Sequence, residues 1–248
     1  MTHTASVTAA ILVIGDEILS GRTKDRNIGY IADYLTKIGI DLREVRVVGD
    51  VEAEIIAAVN ALRTRYDYLF TTGGIGPTHD DITADAVARA LGVGISVDPR
   101  AISLLLERIK PEDLNEARRR MARIPHGAEL IENEISKAPG FWISNVIVMA
   151  GVPAIMQSML DKVAPKLVTG AKMLAQTVAA GELPEGAYAA DLAALAEASP
   201  ELSIGSYPSF RDGRFHNEIV VRGKDREQVG VAAASIEALV ARLLKERV

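Results

Sequence analysis

The chain has 248 residues, 48% of them apolar and 25% charged, ordinary values for a globular fold with a full core. Its formal net charge of −5 argues against general binding to nucleic acid or anionic membranes, which call for a basic face. There is no cysteine, and the four histidines fall in no His-x-x-His or His-Glu-x-x-His spacing, so disulfides, thiolate zinc sites and cysteine nucleophiles are excluded and a histidine-rich metal centre is not expected.

The segment from Met1 to Ser6 has neither the basic start nor the apolar stretch of a signal peptide. No apolar run approaches the roughly 20 residues that span a bilayer. A soluble, cytoplasmic protein is expected. Hydrophobic periodicity then predicts strands over 7–14, 40–48 and 66–72, each ending at glycine or just before it. Helical spacing lies between them: Ile28, Ile31, Tyr34, Leu35 and Ile38, then Ile55, Ile56, Val59 and Leu62. A helix over 81–91, a short extended piece over 93–97, and helices over about 99–110 and 112–123 follow. Extended pieces near 128–131 and 146–150 precede a helix opened by Gly151-Val152-Pro153. This alternation predicts an α/β fold of three layers, a mostly parallel sheet covered on both faces. Composition changes near Val168-Thr169-Gly170, so domains are expected over 1–168 and 169–248. The second reads as a small α+β unit: strands over 173–178, 202–207 and 215–221, and helices over 185–198 and 224–247. In the last helix Val231, Ile236, Leu239, Val240, Leu243 and Leu244 form the expected apolar stripe.

The most informative run is Thr71-Thr72-Gly73-Gly74-Ile75-Gly76-Pro77-Thr78-His79-Asp80-Asp81-Ile82-Thr83. It reads as strand, glycine loop and helix start, an arrangement that brings bare amides and a positive dipole end toward an anion. Two carboxylates on the same loop suit a divalent cation between acid and phosphate. The spacing of Thr78 and Asp81 equally suits a capping box, and both readings stay open. In an open parallel sheet ligands bind beyond the carboxyl ends of the strands, and three successive ends release acids there: Asp16 and Glu17, Asp50, then Asp80 and Asp81. A Walker A loop fails because Pro77-Thr78 follows Gly76, and a dinucleotide fingerprint fails because position 79 is His79. Of the Arg118-Arg119-Arg120 run, read as a mostly solvated helix face, Arg119 or Arg120 has the reach for a diphosphate.

Thr71-Thr72-Gly73-Gly74-Ile75-Gly76 with Asp81-Ile82-Thr83 resembles the Thr-Gly-Gly-x-Gly…Asp-x-Thr signature of the molybdopterin-binding fold of the MoaB and MogA proteins. Ile14-Gly15-Asp16-Glu17-Ile18-Leu19-Ser20-Gly21 with Asn27, Val47-Val48-Gly49-Asp50, Ala138-Pro139-Gly140-Phe141 and Ala150-Gly151-Val152-Pro153 are similar to the N-terminal region of the CinA family. Ile204-Gly205-Ser206-Tyr207-Pro208 resembles the small second domain of that region. The resemblance implies hydrolysis of the ADP-ribose pyrophosphate with a divalent cation (Mg, Mn or Co) or, in the MogA-type branch, binding and adenylylation of molybdopterin. A non-enzymatic nucleotide- or pterin-binding protein is the remaining alternative. CinA's C-terminal amide-hydrolysing domain has no counterpart, so deamidation of nicotinamide mononucleotide is not expected. Carried onto this chain, the resemblance implies Asp50 and Asp81 as catalytic residues and, with Glu17, as metal ligands. It implies Thr72, Gly73, Gly74, Gly76, Thr83, Asn27 and Gly151 around the phosphate or nucleotide. The implied partners are a small nucleotide or pterin ligand and a second subunit, as a homodimer, with neither nucleic acid nor membrane.

Overall fold

The computed structural model describes residues 6–246 and divides into two compact units, Met1–Gly170 and Ala171–Val248. The N-terminal segment up to Ala5 and the expected helix end at Arg247 lie outside the described residues.

In the first unit the chain runs β1 (Val7–Ile14), α1 (Asp16–Leu19), α2 (Asn27–Ile38), β2 (Ile40–Val48), α3 (Glu52–Arg63), β3 (Tyr68–Thr72) and α4 (Thr83–Leu91). It continues through β4 (Ile95–Val97), α5 (Pro99–Leu106), α6 (Glu116–Arg120), β5 (Arg123–Pro125), β6 (Glu129–Ile131), β7 (Gly140–Ile143), β8 (Val146–Met149) and α7 (Pro153–Val163). A six-stranded sheet has the order β2-β1-β3-β8-β7-β6. Its first four strands are parallel, and β7 and β6 close it as antiparallel neighbours. Alternation along β1 supplies both faces of the core. Ala10, Leu12 and Ile14 pack with Ile55, Val59 and Leu62 of α3, Ala86 and Val87 of α4 and Leu105 of α5. Ala9, Ile11 and Val13 pack with Ile31 and Leu35 of α2 and Met156, Met159 and Leu160 of α7. The three layers expected from the βαβ pattern are therefore present. Helices α2 and α4 stop at Gly39 and Gly92, both in the left-handed region that glycine adopts freely.

The segment between α5 and β6 departs from expectation. Instead of a helix over 112–123 there is a 3-10 turn at Pro111–Asp113 and the five-residue α6, capped by the Asn115 side chain accepting from the Arg118 N–H at 3.0 Å. The chain then enters β5, which pairs with β4 as a separate ribbon and takes Arg123, Ile124 and Pro125 out of any helix. Helical spacing of Leu114, Ala117, Met121 and Ile124 predicts a buried stripe here, but Ala117 is exposed. Strand β7 was also unexpected, hidden in a run whose apolar residues are interrupted by Ser144 and Asn145.

The second unit comprises β9 (Leu174–Gly181), α8 (Ala189–Ala198), β10 (Ser203–Tyr207), β11 (Phe210–Arg211), β12 (Arg214–Phe215), β13 (Asn217–Gly223) and α9 (Arg226–Glu246). Strands β10, β13 and β9 form an antiparallel sheet in that order. Its core holds Val178, Ile219 and Val221 from the sheet, Tyr188 ahead of α8, and Ile236 and Val240 of α9. The single strand expected over 215–221 is broken at His216, because β12 pairs with β11 around an Asp212-Gly213 turn, both residues at positive φ. Of the apolar stripe expected on α9, Val231 and Leu244 are exposed. Among the described residues no helix is long and apolar enough to cross a membrane.

One side-chain clasp ties the entries of β1 and β3 together: Asp67 Oδ2 accepts from the Thr8 N–H and Oγ1, each at 2.7 Å. These bonds favour the ionised form and hold the Asp67 carboxyl below the usual range, the backbone N–H of Thr8 contributing most. A folded-state pKa depressed below the unfolded value contributes stability above the unfolded pKa and loses it as pH falls through the folded one. Asp67→Ala is expected to lower stability by at most about 1 kcal/mol at pH 7, since the clasp faces solvent. In urea melts the difference from the parent should shrink as pH drops below the ordinary carboxylate range. A difference constant with pH would show that the clasp contributes nothing through ionisation.

Candidate functional site

The parallel strands β1, β2 and β3 discharge at one edge of the sheet, and their exits are bound to one another. Gly15 donates its N–H to Val48 O at 3.1 Å. Asp50 Oδ2 accepts the Asp16 N–H at 3.0 Å, and Asp16 Oδ1 accepts the Asp50 N–H at 3.3 Å. A Cβ on Gly49 would push Asp16 Oδ1 out of its present position. Asp16 and Glu17 are exposed, whereas Asp50 is largely covered. Burial pushes the Asp50 carboxyl above its ordinary range. The Asp16 N–H opposes that, and the negative charges of Asp16, Glu17 and Asp80 reinforce it.

The glycine loop leaves β3 through two positive-φ residues, Gly73 at 102° and Gly74 at 65°. Chain crowding accounts for the choice of residue. A Cβ on Gly73 would strike the Ile14 carbonyl, one on Gly74 would strike Thr83 Oγ1, and one on Gly151 would lie 3.3 Å from the Gly73 Cα. The first turn of α4 locks this path: the Thr83 N–H donates to Gly74 O and Thr83 Oγ1 to Gly73 O, both at 3.0 Å. Asp81 fastens the far side, where Oδ1 accepts the Gly76 N–H at 2.7 Å and Oδ2 accepts the N–H and Oγ1 of Thr78 at 2.8 and 2.6 Å. The N–H groups of Gly74 and Ile75 have no acceptor among the described residues, which leaves two donors for an anion.

The expected site residues thus separate into groups. Gly73, Gly74, Gly76 and Gly151 form the accessible cradle. Thr72 and Thr83 are fully buried and Asn27 nearly so, so these side chains brace the loop from beneath rather than line it. Asn27 Nδ2 donates to Gly151 O at 2.8 Å, while Asn27 Oδ1 and Thr72 Oγ1 are buried without a partner. Asp50 and Glu17 stand together with Asp16. Asp81 stands apart from them, its oxygens engaged within the loop by Gly76 and Thr78; the expected capping box does not form, because α4 begins at Thr83 behind Ile82 with no side-chain cap. Among the described residues no three His, Asp or Glu side chains converge closely enough to hold a metal ion as they stand. His79 projects into solvent.

A small, open pocket lies beside the loop, lined by Gly74, Ile75, Gly76 and Asp81, by Ala84 and Asp85 of α4, and by Arg120, Met121, Arg123, Ile124, Pro139 and Phe141. Arg123 is committed to an ion pair with Asp85. Arg120 has no hydrogen-bond or ion-pair partner among the described residues, and its Nε is buried. From sequence the arginine run offered Arg119 or Arg120; of the two, Arg119 is exposed and Arg120 lines the pocket.

Comparison with known proteins gives the family. The domain described as "Probable molybdopterin binding domain" matches residues 10–169, and "FAD synthase, middle domain" matches residues 172–246. An Archaeoglobus fulgidus protein is 31% identical over 93% of this chain and 96% of its own. A CinA-like protein of Desulfosudis oleivorans is 37% identical, over 79% of this chain and 51% of its own length. A probable FAD synthase of Caenorhabditis elegans is 30% identical, over 94% and 50%. The chain thus spans about half the length of these last two relatives. Among solved structures, the protein CinA of Thermoplasma acidophilum, of unknown function, is 31% identical with a TM-score of 0.62, covering 66% of this chain and 100% of that one. The chain belongs to the MoaB/Mog-type molybdopterin-binding domain family, with CinA-like proteins among its relatives.

If Asp81 fastens the loop, Asp81→Ala releases the Gly76 and Thr78 amides. With a chelator present, hydrogen exchange at those two amides should quicken by about tenfold or more, while core amides of β1 and β3 keep their protection. Unchanged exchange at Gly76 and Thr78 would remove Asp81 as the loop's fastener.

Proposed function

We propose that this member of the molybdopterin-binding domain family binds a nucleotide through its pyrophosphate and hydrolyses it, ADP-ribose being the preferred ligand, with AMP and ribose 5-phosphate as products. The observation that carries the reading is the pair of unspent amides at Gly74 and Ile75, set between the acids leaving β1 and β2 and a pocket with one free arginine. A divalent cation fits the donor chemistry: Asp16, Glu17 and Asp50 are hard oxygen ligands, and a cation would offset the burial, reinforced by neighbouring negative charge, that raises the Asp50 carboxyl. Those three residues would hold it once their carboxylates, which do not converge as they stand, turned toward it. When bound, the ion would neutralise charge on the phosphate oxygens and polarise the scissile bond.

The chain's own groups do the rest. Gly74 and Ile75 N–H groups would bind non-bridging phosphate oxygens and gain strength as charge develops there. Asp50 is oriented through Oδ2 by the Asp16 N–H, which leaves Oδ1 to take the proton of the attacking water. The water oxygen bonds to the adenylate phosphorus, the bridging P–O bond breaks, and ribose 5-phosphate leaves with the electron pair. A second reading is a flavin or pterin nucleotide at the same loop, favoured by the match of residues 172–246 to the FAD synthase middle domain.

The test is incubation of purified protein with ADP-ribose, FAD or ATP, with and without Mg²⁺, Mn²⁺ or Co²⁺, following AMP. Metal-dependent AMP release from ADP-ribose is expected. Asp50→Asn should lose at least about 100-fold in kcat. In chelator at neutral pH the same variant should melt no lower than the parent, because it removes a carboxylate whose ionisation the fold opposes. No AMP from any of the three with any metal would end the hydrolase reading. Release from FAD alone would transfer it to the flavin nucleotide.

A further inference from the structure

Arg120 is the last residue of α6, held at the rim of the pocket by two features that fix the chain on either side. Asn115 caps the helix start, and β5 begins three residues later, where the Arg123 guanidinium is neutralised by Asp85. Among the described residues Arg120 is the one arginine lining this pocket that has no ion pair, although Asp81 and Asp85 also line it. Arg120 lies close enough to the loop for its charge to be felt at Asp80, whose carboxyl is lowered mainly by Thr78 and least by Arg120. Its Nε is buried with no hydrogen-bond partner, an arrangement whose cost is recovered when an acceptor enters. Its neighbour Arg119 is exposed.

The pocket thus has two separate anion-binding elements on two different chain segments: the Gly74 and Ile75 amides after β3, and the Arg120 fork at the end of α6. A guanidinium offers its donors in a rigid plane that suits two oxygens at once, and the loop amides are already suited to one phosphate. We infer that Arg120 is a specificity-determining residue that binds the second phosphate of the ligand, so that the pocket distinguishes a diphosphate from a monophosphate. This rests on the pyrophosphate reading of the same site and deepens it by assigning each phosphate its own donors.

The experiment is calorimetric titration of the full chain at low ionic strength, in chelator, with inorganic pyrophosphate and with inorganic phosphate. Arg120→Gln should weaken pyrophosphate by about 10- to 100-fold, the range of a lost charge-assisted bidentate contact, and phosphate by less than about threefold. Arg120→Lys, which keeps the charge without the fork, should restore part of the loss. Arg119→Gln should change neither affinity. Equal weakening for both probes would mean that one phosphate spans loop and arginine, and would overturn the assignment. So would unchanged pyrophosphate affinity in Arg120→Gln, or a parent protein that binds phosphate as tightly as pyrophosphate. None of these readouts requires turnover, so a failed assignment leaves metal-dependent AMP release standing or falling on its own assay.

Discussion

Three pieces of backbone meet at the edge of the main sheet with no space for side chains between them: the Ile14 carbonyl at the end of β1, the Cα of Gly73 after β3, and Gly151 after β8. Only glycine tolerates this approach, and at Gly73 and Gly74 only glycine adopts the required φ without strain. Much else depends on that contact. With the backbone bent so sharply, the Gly73 and Gly74 carbonyls turn toward α4, where the Thr83 hydroxyl and N–H take them up. The next two amides are left without internal acceptors. The same crowding explains why Asn27 reaches from the start of α2 to Gly151 O, fixing the third segment against the other two.

Charge is distributed around this junction unevenly. Asp16, Glu17 and Asp50 gather where β1 and β2 end, and Asp50, the most buried of them, is raised first by that burial and then by the charges around it. Asp81, although part of the same loop system, is satisfied by three donors and forms part of the scaffold. Two acids one residue apart, Asp80 and Asp81, thus have different environments because the loop curls around one and leaves the other in solvent. A carboxylate saturated with N–H and O–H donors gives up those bonds before it serves another partner, which sets it apart from Asp50, with an oxygen to spare.

The central architecture was legible because β1 and β3 are largely apolar, β2 mixes apolar and charged residues, all three end at glycine, and helical spacing lies between them. The glycine cradle was legible for the same reason, since clustered glycines behind a strand have few other uses. The region 107–125 was not. Its spacing of Leu114, Ala117, Met121 and Ile124 mimics a helix face, but the pairing of β5 with β4 overrides that local periodicity. This is also why Arg120 could not be separated from Arg119: its position depends on where α6 stops, which tertiary pairing decides. For Asp81 the sequence was ambiguous in principle, because capping and ligand binding use the same residue at the same spacing. Thr72 and Asn27 were expected around the ligand, but burial, which a linear pattern does not report, keeps their side chains out of the candidate lining.

The separation of acids from the free arginine has a consequence for orientation under the proposed reading. A pyrophosphate over the loop would lie between a negative end at Asp16, Glu17 and Asp50 and a positive end at Arg120. Its charge would be drawn toward Arg120 and the amides, and the phosphorus nearer the acids would be the one exposed to water oriented by Asp50. A cation among the acids would lower the repulsion that otherwise holds an anionic ligand off this edge, so ligand and ion would each favour the other's binding. A monophosphate satisfied by the loop alone would gain little from Arg120 and would leave readily, as a product must. Nothing in this scheme requires a large motion: the cradle is held by Thr83, Asp81 and Asn27 before any ligand arrives, and such preorganised donors act without reorganisation when charge develops.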